Sequence, residues 1–180
     1  MLIWCVMFLM LRNYIGGLLL INIFTGPVIH DENLKGYKRN YCKIGVVILA
    51  GGVGNRTGLK QPKQFLEFAG KTVLEHSIAA FEQHEDIHEI AVVTNANFIE
   101  QTQQLLQKNH WKKVKKILPG GKERSDSSLA AIRAYENESG VNLVFHDAAR
   151  PLVSARIIDH VCQALVNHKA VGCLLYTSPS

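Results

Sequence analysis

Gly51, Gly52 and Gly54, followed by Arg56 and Lys63, fall within the stretch Leu49 to Gln64, which reads LAGGVGNRTGLKQPKQ. Glycines at such spacing can take positive φ and turn successive backbone N–H groups toward one anion. Arg56 and Lys63 bring fixed positive charge to the same loop, a combination suited to gripping the phosphates of a nucleotide. The apolar run Val46-Val47-Ile48 immediately before it predicts a buried strand, and ligands of open α/β sheets bind beyond the carboxyl ends of strands.

Two better-known glycine motifs do not fit. The ATPase phosphate loop, G-x-x-x-x-G-K-[ST], finds its ending in Gly70-Lys71-Thr72, but Phe65 stands at the first glycine position and no strand precedes it. The dinucleotide fingerprint fails at Thr57, where its third glycine belongs, and Pro62 interrupts the chain. About twenty polar-rich residues separate Gly52 from the next helical pattern, where a dinucleotide fold has almost none. A long basic lid is the expectation.

Other chemistry-bearing residues lie after other predicted strands. Asp147 follows Val144-Phe145 and is the best candidate for holding Mg²⁺ against a triphosphate, the alternatives being a helix N-cap or a partner for Arg150. Gly120-Gly121 lets backbone approach a flat base, and Ser127 is placed either to hydrogen-bond base or ribose or to cap the next helix. His84-Glu85-Asp86-Ile87-His88 matches H-E-x-x-H, but that zinc pattern needs a continuous helix, and here it spans a helix-to-strand connection. His146 reads as positional, since an ionised phosphate nucleophile needs no general base.

The elements that position these residues alternate. Strands are predicted at Val46–Leu49, Ile90–Thr94, Val114–Leu118 and Asn142–Phe145. Helices are predicted at Val73–Phe81, with Leu74, Ile78 and Phe81 on one face, and at Phe98–Leu106, Ser127–Tyr135 and Ile157–Val166. Such alternation implies an α/β fold with a mainly parallel sheet covered on both faces. Loops after the first, third and fourth strands should then meet at one edge.

The 180 residues suffice for one sizeable core. The net charge of +5 owes part to Lys112, Lys113, Lys115 and Lys116, which lack interleaved aromatics and read as a strand edge; nucleic acid is not the expected partner. Cys5, Cys42, Cys162 and Cys173 show no C-x-x-C pair or ligand spacing, which suits reduced thiols in the cytoplasm. Residues 1–42 read as an apolar N-terminal extension or an anchor. Against insertion, Arg12 would sit mid-membrane at about 2.5 to 3.5 kcal/mol, and no A-x-A cleavage site is present. The domain is expected from Lys43 to Gly172.

Together, Leu49-Ala50-Gly51-Gly52-Val53-Gly54-Asn55-Arg56, Pro62-Lys63-Gln64-Phe65, Gly120-Gly121-Lys122-Glu123-Arg124 and His146-Asp147-Ala148-Ala149-Arg150-Pro151 closely resemble the cytidylyltransferases that make CDP-linked polyols, over residues 44 to about 172. That family includes enzymes acting on 2-C-methyl-D-erythritol 4-phosphate and on ribitol 5-phosphate. The resemblance implies a three-layer, Rossmann-like sheet of the nucleotide-diphospho-sugar transferase type, and transfer of CMP from CTP to a polyol phosphate with release of pyrophosphate. It implies that Arg56 and Lys63 act on the triphosphate. Ala50, Gly51, Gly52, Gly54, Gly120, Gly121, Ser127, Ala148 and Arg150 would form the nucleotide site, and Asp147 would hold Mg²⁺. Homodimers are expected for the full-length family.

Thr57 stands where the family usually has methionine. Residues 173–180, CLLYTSPS, do not resemble the family's continuation and read as a non-native tail, so the polyol-binding part, with its second lysine, is expected to be missing. Leu49-Ala50-Gly51-Gly52 tilts the substrate toward ribitol 5-phosphate. The alternatives are a nucleotidyltransferase using UTP with a sugar phosphate, or a non-catalytic nucleotide-binding fragment.

Overall fold

The computed structural model describes residues 18–23, 43–52, 61–167 and 172–173. Its centre is a six-stranded sheet in the order β6-β5-β2-β7-β1-β8. These strands are β1 (Leu18–Ile23), β2 (Lys43–Ala50), β5 (Glu89–Thr94), β6 (Val114–Pro119), β7 (Val141–Asp147) and β8 (Gly172–Cys173). A short hairpin, β3 (Glu67–Phe68) and β4 (Lys71–Thr72), stands apart from it. The helices are α1 (Val73–Glu82), α2 (Ile99–Asn109), α3 (Arg124–Ala134) and α4 (Ala155–Asn167).

β2 pairs in parallel with β5 and β7, and β5 pairs in parallel with β6. The run from Ile44 to Ala50 is buried residue by residue, as a central strand covered on both faces must be. Val46, Ile48 and Ala50 face a core shared with Leu74, Ile78 and Phe81 of α1 and with Ile158, Val161 and Leu165 of α4. Val47 and Leu49 face the opposite core, with Ala131 and Tyr135 at α3. The alternation of side chains along one strand thus produces three layers.

Each strand and helix expected from periodicity is present. Ser127, however, does not open the third helix, which begins a turn earlier at Arg124. Glu123 caps it, and Asp126 reciprocates by accepting from the Glu123 amide at 2.9 Å. A carboxylate replaces the hydroxyl in this reciprocal cap, and acidic groups also suit the positive end of a helix. The lysine-rich strand β6 lies at the sheet edge, where Lys116 pairs with Glu138 and rests 3.5 Å over the Tyr135 ring.

Sequence reasoning sets residues 1–42 apart from the domain, yet Leu18–Ile23 enters the sheet between β7 and β8, antiparallel to both. The sequence LLLINI is strand-prone, and the pairing gives β7 a second neighbour, so that its backbone groups on that side are not left as an open edge. No helix among the described residues is long and apolar enough to cross a membrane.

Candidate active site

The parallel strands end together. Ala50 of β2, Pro119 of β6 and Asp147 of β7 deliver their following loops to one edge, where a cleft of about 330 Å³ opens. Its walls come from Leu49 to Gly52, from Lys63 and Gln64, from Gly121 to Arg124 with Ser127, and from Asp147 to Ala149. Ala50, Gly51, Gly52, Lys63, Gly121, Ser127, Asp147 and Ala148 are thereby brought together. Gly54 and Arg56 lie outside the described residues.

The basic loop returns to the sheet through a tight turn, Lys63–Phe65, whose ends are fixed differently. Phe65 is buried and packs on Phe98 with ring centroids 5.5 Å apart, while Gln64 donates from Nε2 to the Ala50 carbonyl at 2.8 Å. Lys63 is left exposed at the cleft wall. Two anchored neighbours therefore hold Lys63 at the cleft wall.

Gly120 and Gly121 have steric reasons for lacking a side chain. A Cβ on Gly120 would lie 2.7 Å from Ser127 Oγ and 3.3 Å from the Thr94 carbonyl oxygen, to which the Gly120 amide donates at 2.7 Å. A Cβ on Gly121 would fall 2.2 Å from Asp126 Cβ. Gly120 does not itself line the cleft but sets the depth of the loop behind it. Ser127 is buried, and its Oγ also lies 3.3 Å from where a Gly51 Cβ would stand, so this hydroxyl is wedged between the first and third loops. It donates weakly to the Glu123 carbonyl at 3.3 Å.

The His146–Arg150 loop is braced throughout. Ala148 donates its amide to Leu49 at 3.0 Å and accepts at its carbonyl from Ser77 Oγ of α1 at 2.9 Å. His146 Nε2 lies 3.0 Å from the Arg150 carbonyl, which fixes Nε2 as the protonated nitrogen, and its ring meets Phe81 edge-on. Burial drives the His146 pKa down to about 4, outweighing the opposing pull of the Arg150 carbonyl and Asp147. The imidazole is therefore neutral at pH 7 and positions the loop.

Asp147, with its side chain 20% exposed, is flanked by two arginines. Oδ1 pairs with Arg124 Nη1, and Oδ2 lies 3.5 Å from Arg150 Nε. Arg150 thus touches the site through Asp147 without lining the cleft. Arg124 carries no assignment from the sequence, although it stands in the Gly120–Arg124 segment. Its signal was available only as a basic residue at the first position of a helix that also lines the loop. The hard oxygen donor of Asp147 at the cleft wall suits Mg²⁺, which commonly takes one or two protein carboxylates together with substrate phosphates.

Comparison with known proteins places this geometry. The family model for 2-C-methyl-D-erythritol 4-phosphate cytidylyltransferase (IspD) matches residues 44–176. The chain is 45% identical over 126 residues to a Haemophilus influenzae bifunctional ribulose 5-phosphate reductase/CDP-ribitol pyrophosphorylase, covering 69% of this chain and 27% of that protein. It is 42% identical over 137 residues to the 2-C-methyl-D-erythritol 4-phosphate cytidylyltransferase of Thermobifida fusca, covering 76% of this chain and 55% of the relative. The chain therefore spans about a quarter and about half of these relatives.

Among solved structures, the Francisella tularensis 2-C-methyl-D-erythritol 4-phosphate cytidylyltransferase matches with a TM-score of 0.54 at 29% identity, over 70% of this chain and 54% of that one. The Anaerococcus prevotii 4-diphosphocytidyl-2C-methyl-D-erythritol synthase matches with a TM-score of 0.57 at 23% identity, over 69% and 51%, a likeness of fold. With residues 44–176 covered by its model, the chain belongs to the 2-C-methyl-D-erythritol 4-phosphate cytidylyltransferase family.

Proposed function

We propose that this chain carries the CTP-binding part of a cytidylyltransferase, which moves CMP from CTP to a polyol phosphate and releases pyrophosphate. The observation that carries the reading is the single cleft into which β2, β6 and β7 deliver Lys63, Ser127 and Asp147. The relatives' names, cytidylyltransferase and CDP-ribitol pyrophosphorylase, support the same chemistry.

In this reading an oxygen of the polyol phosphate attacks the α-phosphorus of CTP in line. A new P–O bond forms as the bond to the β-phosphate oxygen breaks, and pyrophosphate leaves with the electron pair. Because the nucleophile is already an anion, the protein's part is positioning and charge stabilisation. Lys63, with Arg56 from the basic loop, balances charge growing on the α-phosphate and the leaving group. Asp147 would hold Mg²⁺, which when bound neutralises part of the triphosphate charge. Arg124, paired with the same carboxylate, would add positive charge beside the triphosphate. Gly120-Gly121 and Ser127 form the base and ribose side, backed by Ala50, Gly51, Gly52, Gly54, Ala148 and Arg150.

The polyol we favour is ribitol 5-phosphate, on the Leu49-Ala50-Gly51-Gly52 opening and on the CDP-ribitol product named for the Haemophilus relative. We place the protein in the cytoplasm, in keeping with the unpaired thiol of Cys162, and expect the complete enzyme to be a homodimer. The test is pyrophosphate release by the complete protein with Mg²⁺ and CTP, offered ribitol 5-phosphate or 2-C-methyl-D-erythritol 4-phosphate. Release with UTP in preference to CTP would overturn the cytidylyl reading, and faster turnover of the methylerythritol substrate would overturn the choice of polyol.

A further inference from the structure

The histidines of His84-Glu85-Asp86-Ile87-His88 part company in the connection between α1 and β5. His88 turns to β2, where its Nδ1 accepts from the Ile44 amide at 3.2 Å. His84 turns to α4, where its Nε2 meets Asp159 Oδ1 at 3.0 Å. A ring nitrogen of His84, a carboxylate oxygen of Asp86 and Sγ of Cys162 all lie within 4.8 Å of one another. Imidazole, carboxylate and thiol thus converge from a loop and a helix far apart in sequence.

The cluster is separate from the nucleotide cleft. The cleft follows the carboxyl ends of the parallel strands, whereas His84 and Asp86 precede Glu89, the first residue of β5, and His88 contacts the start of β2. None of the three lines the cleft. We propose that His84, Asp86 and Cys162 form a binding site for a borderline-soft divalent cation of the Zn²⁺ type, with Asp159 orienting the imidazole.

The donor types favour zinc over the hard cation suited to Asp147. Thiolate, imidazole and carboxylate are its usual ligands, whereas magnesium takes oxygen. Bonds of about 2.0 to 2.3 Å in a tetrahedron separate ligand atoms by about 3.3 to 3.8 Å, so side-chain shifts of about 1 Å close the set. A carboxylate on the far nitrogen of a ligating histidine is the usual means of holding its tautomer and ring direction, the position Asp159 occupies at Nε2; Nδ1, which accepts from the Asp86 amide at 3.3 Å, would exchange that long bond for the cation. His84 and Cys162 are buried while Asp159 is 50% exposed, which provides a path from solvent.

The local potential points the same way. The Asp86 and Asp159 carboxylates both set negative charge beside Cys162. Coordination would replace the S–H bond by S–Zn and release the proton to solvent, turning the surrounding negative charge from a cost into a stabilising term. A bound ion would tie α4, which follows the His146–Arg150 loop, to the far end of the sheet.

The test uses the full chain, stripped with chelator and titrated with Co²⁺ or Zn²⁺. One equivalent of Co²⁺ should develop a thiolate-to-metal charge-transfer band, and Zn²⁺ should displace it and raise the thermal midpoint. Cys162→Ser should lose the band, although Cys5, Cys42 and Cys173 remain. The half-exposed Asp159→Asn should fold normally and bind about 10- to 100-fold more weakly. A band that persists in Cys162→Ser, wild-type protein that binds no stoichiometric Zn²⁺, or unchanged affinity in Asp159→Asn would each overturn the proposal. CTP binding plays no part in these readouts, so they stand apart from the catalytic reading.

Discussion

Gln64 donates its side-chain amide to the carbonyl of Ala50 across 2.8 Å, and both residues are buried. The last residue of β2 is thereby tied to the residue after Lys63, so the chain leaves and re-enters the cleft edge at one fixed point. Gln64→Ala would leave the Ala50 carbonyl without this donor, at about 1 to 3 kcal/mol. The expected result is a lowered denaturation midpoint with an unchanged m-value, and weaker CTP binding. Full CTP affinity in the variant would show that the tie does not position Lys63.

Lys63 stands exposed on the cleft wall, with Gln64 and Phe65 anchored behind it. Removing a cation that acts mainly on transition-state charge should lower kcat more than it raises KM. Lys63→Ala is expected to reduce kcat of the complete enzyme about 100- to 1,000-fold, by analogy with removal of one donor to a developing oxyanion. Stability should hardly change, as checked by thermal melting. An effect confined to KM would assign Lys63 to uniform nucleotide binding instead.

Gly120 and Ser127 test one another. Gly120→Ala sets a methyl 2.7 Å from Ser127 Oγ and is expected to destabilise by about 1 to 3 kcal/mol. Ser127→Ala removes that oxygen, so the double variant should recover part of the loss. The Thr94 carbonyl and Val93 side chain, each 3.3 Å from the added Cβ, limit the recovery. A double-mutant cycle on unfolding free energies measures the coupling, and strict additivity would contradict the contact.

His146 makes stability depend on acid. Its folded pKa of about 4 lies below the ordinary 6.5, so between those values the unfolded chain binds a proton that the native state refuses. The associated stability is present above about pH 6.5 and is lost as pH falls toward 4. The ceiling is about 3 kcal/mol. Chemical denaturation across this window should show the decline, and His146→Gln should flatten it. An equal slope in the variant would place the acid sensitivity elsewhere.

Local pattern carried much of the fold because β2 is apolar on both faces and α1 repeats Leu74, Ile78 and Phe81 at helical spacing. The three cleft-forming loops were legible for the related reason that parallel strands put their following loops at one edge. What escaped was set by partners distant in the chain. Leu18–Ile23 reads as a hydrophobic extension until β7 is present to pair with it, and no local period announces that register. Arg124 looked like an ordinary helix residue because its partner, Asp147, arrives only through the sheet. Glu123, not Ser127, caps α3 because Asp126 supplies the reciprocal bond, a detail that depends on two carboxylates and cannot be told from hydroxyl preference alone.

The place of β1 has a consequence for the order in which the chain becomes safe. Leu18–Ile23 leaves the ribosome well over a hundred residues before its partner Val141–Asp147, and Leu20 must find Val144. During that interval a short apolar strand lacks its native neighbour and is a template for mispairing with other nascent chains. Closing so long a loop is also slow relative to the local helices. The sheet that shapes the nucleotide cleft is therefore completed late on the side of β7, and chaperone demand during synthesis should fall when residues 1–42 are supplied after the domain or in trans.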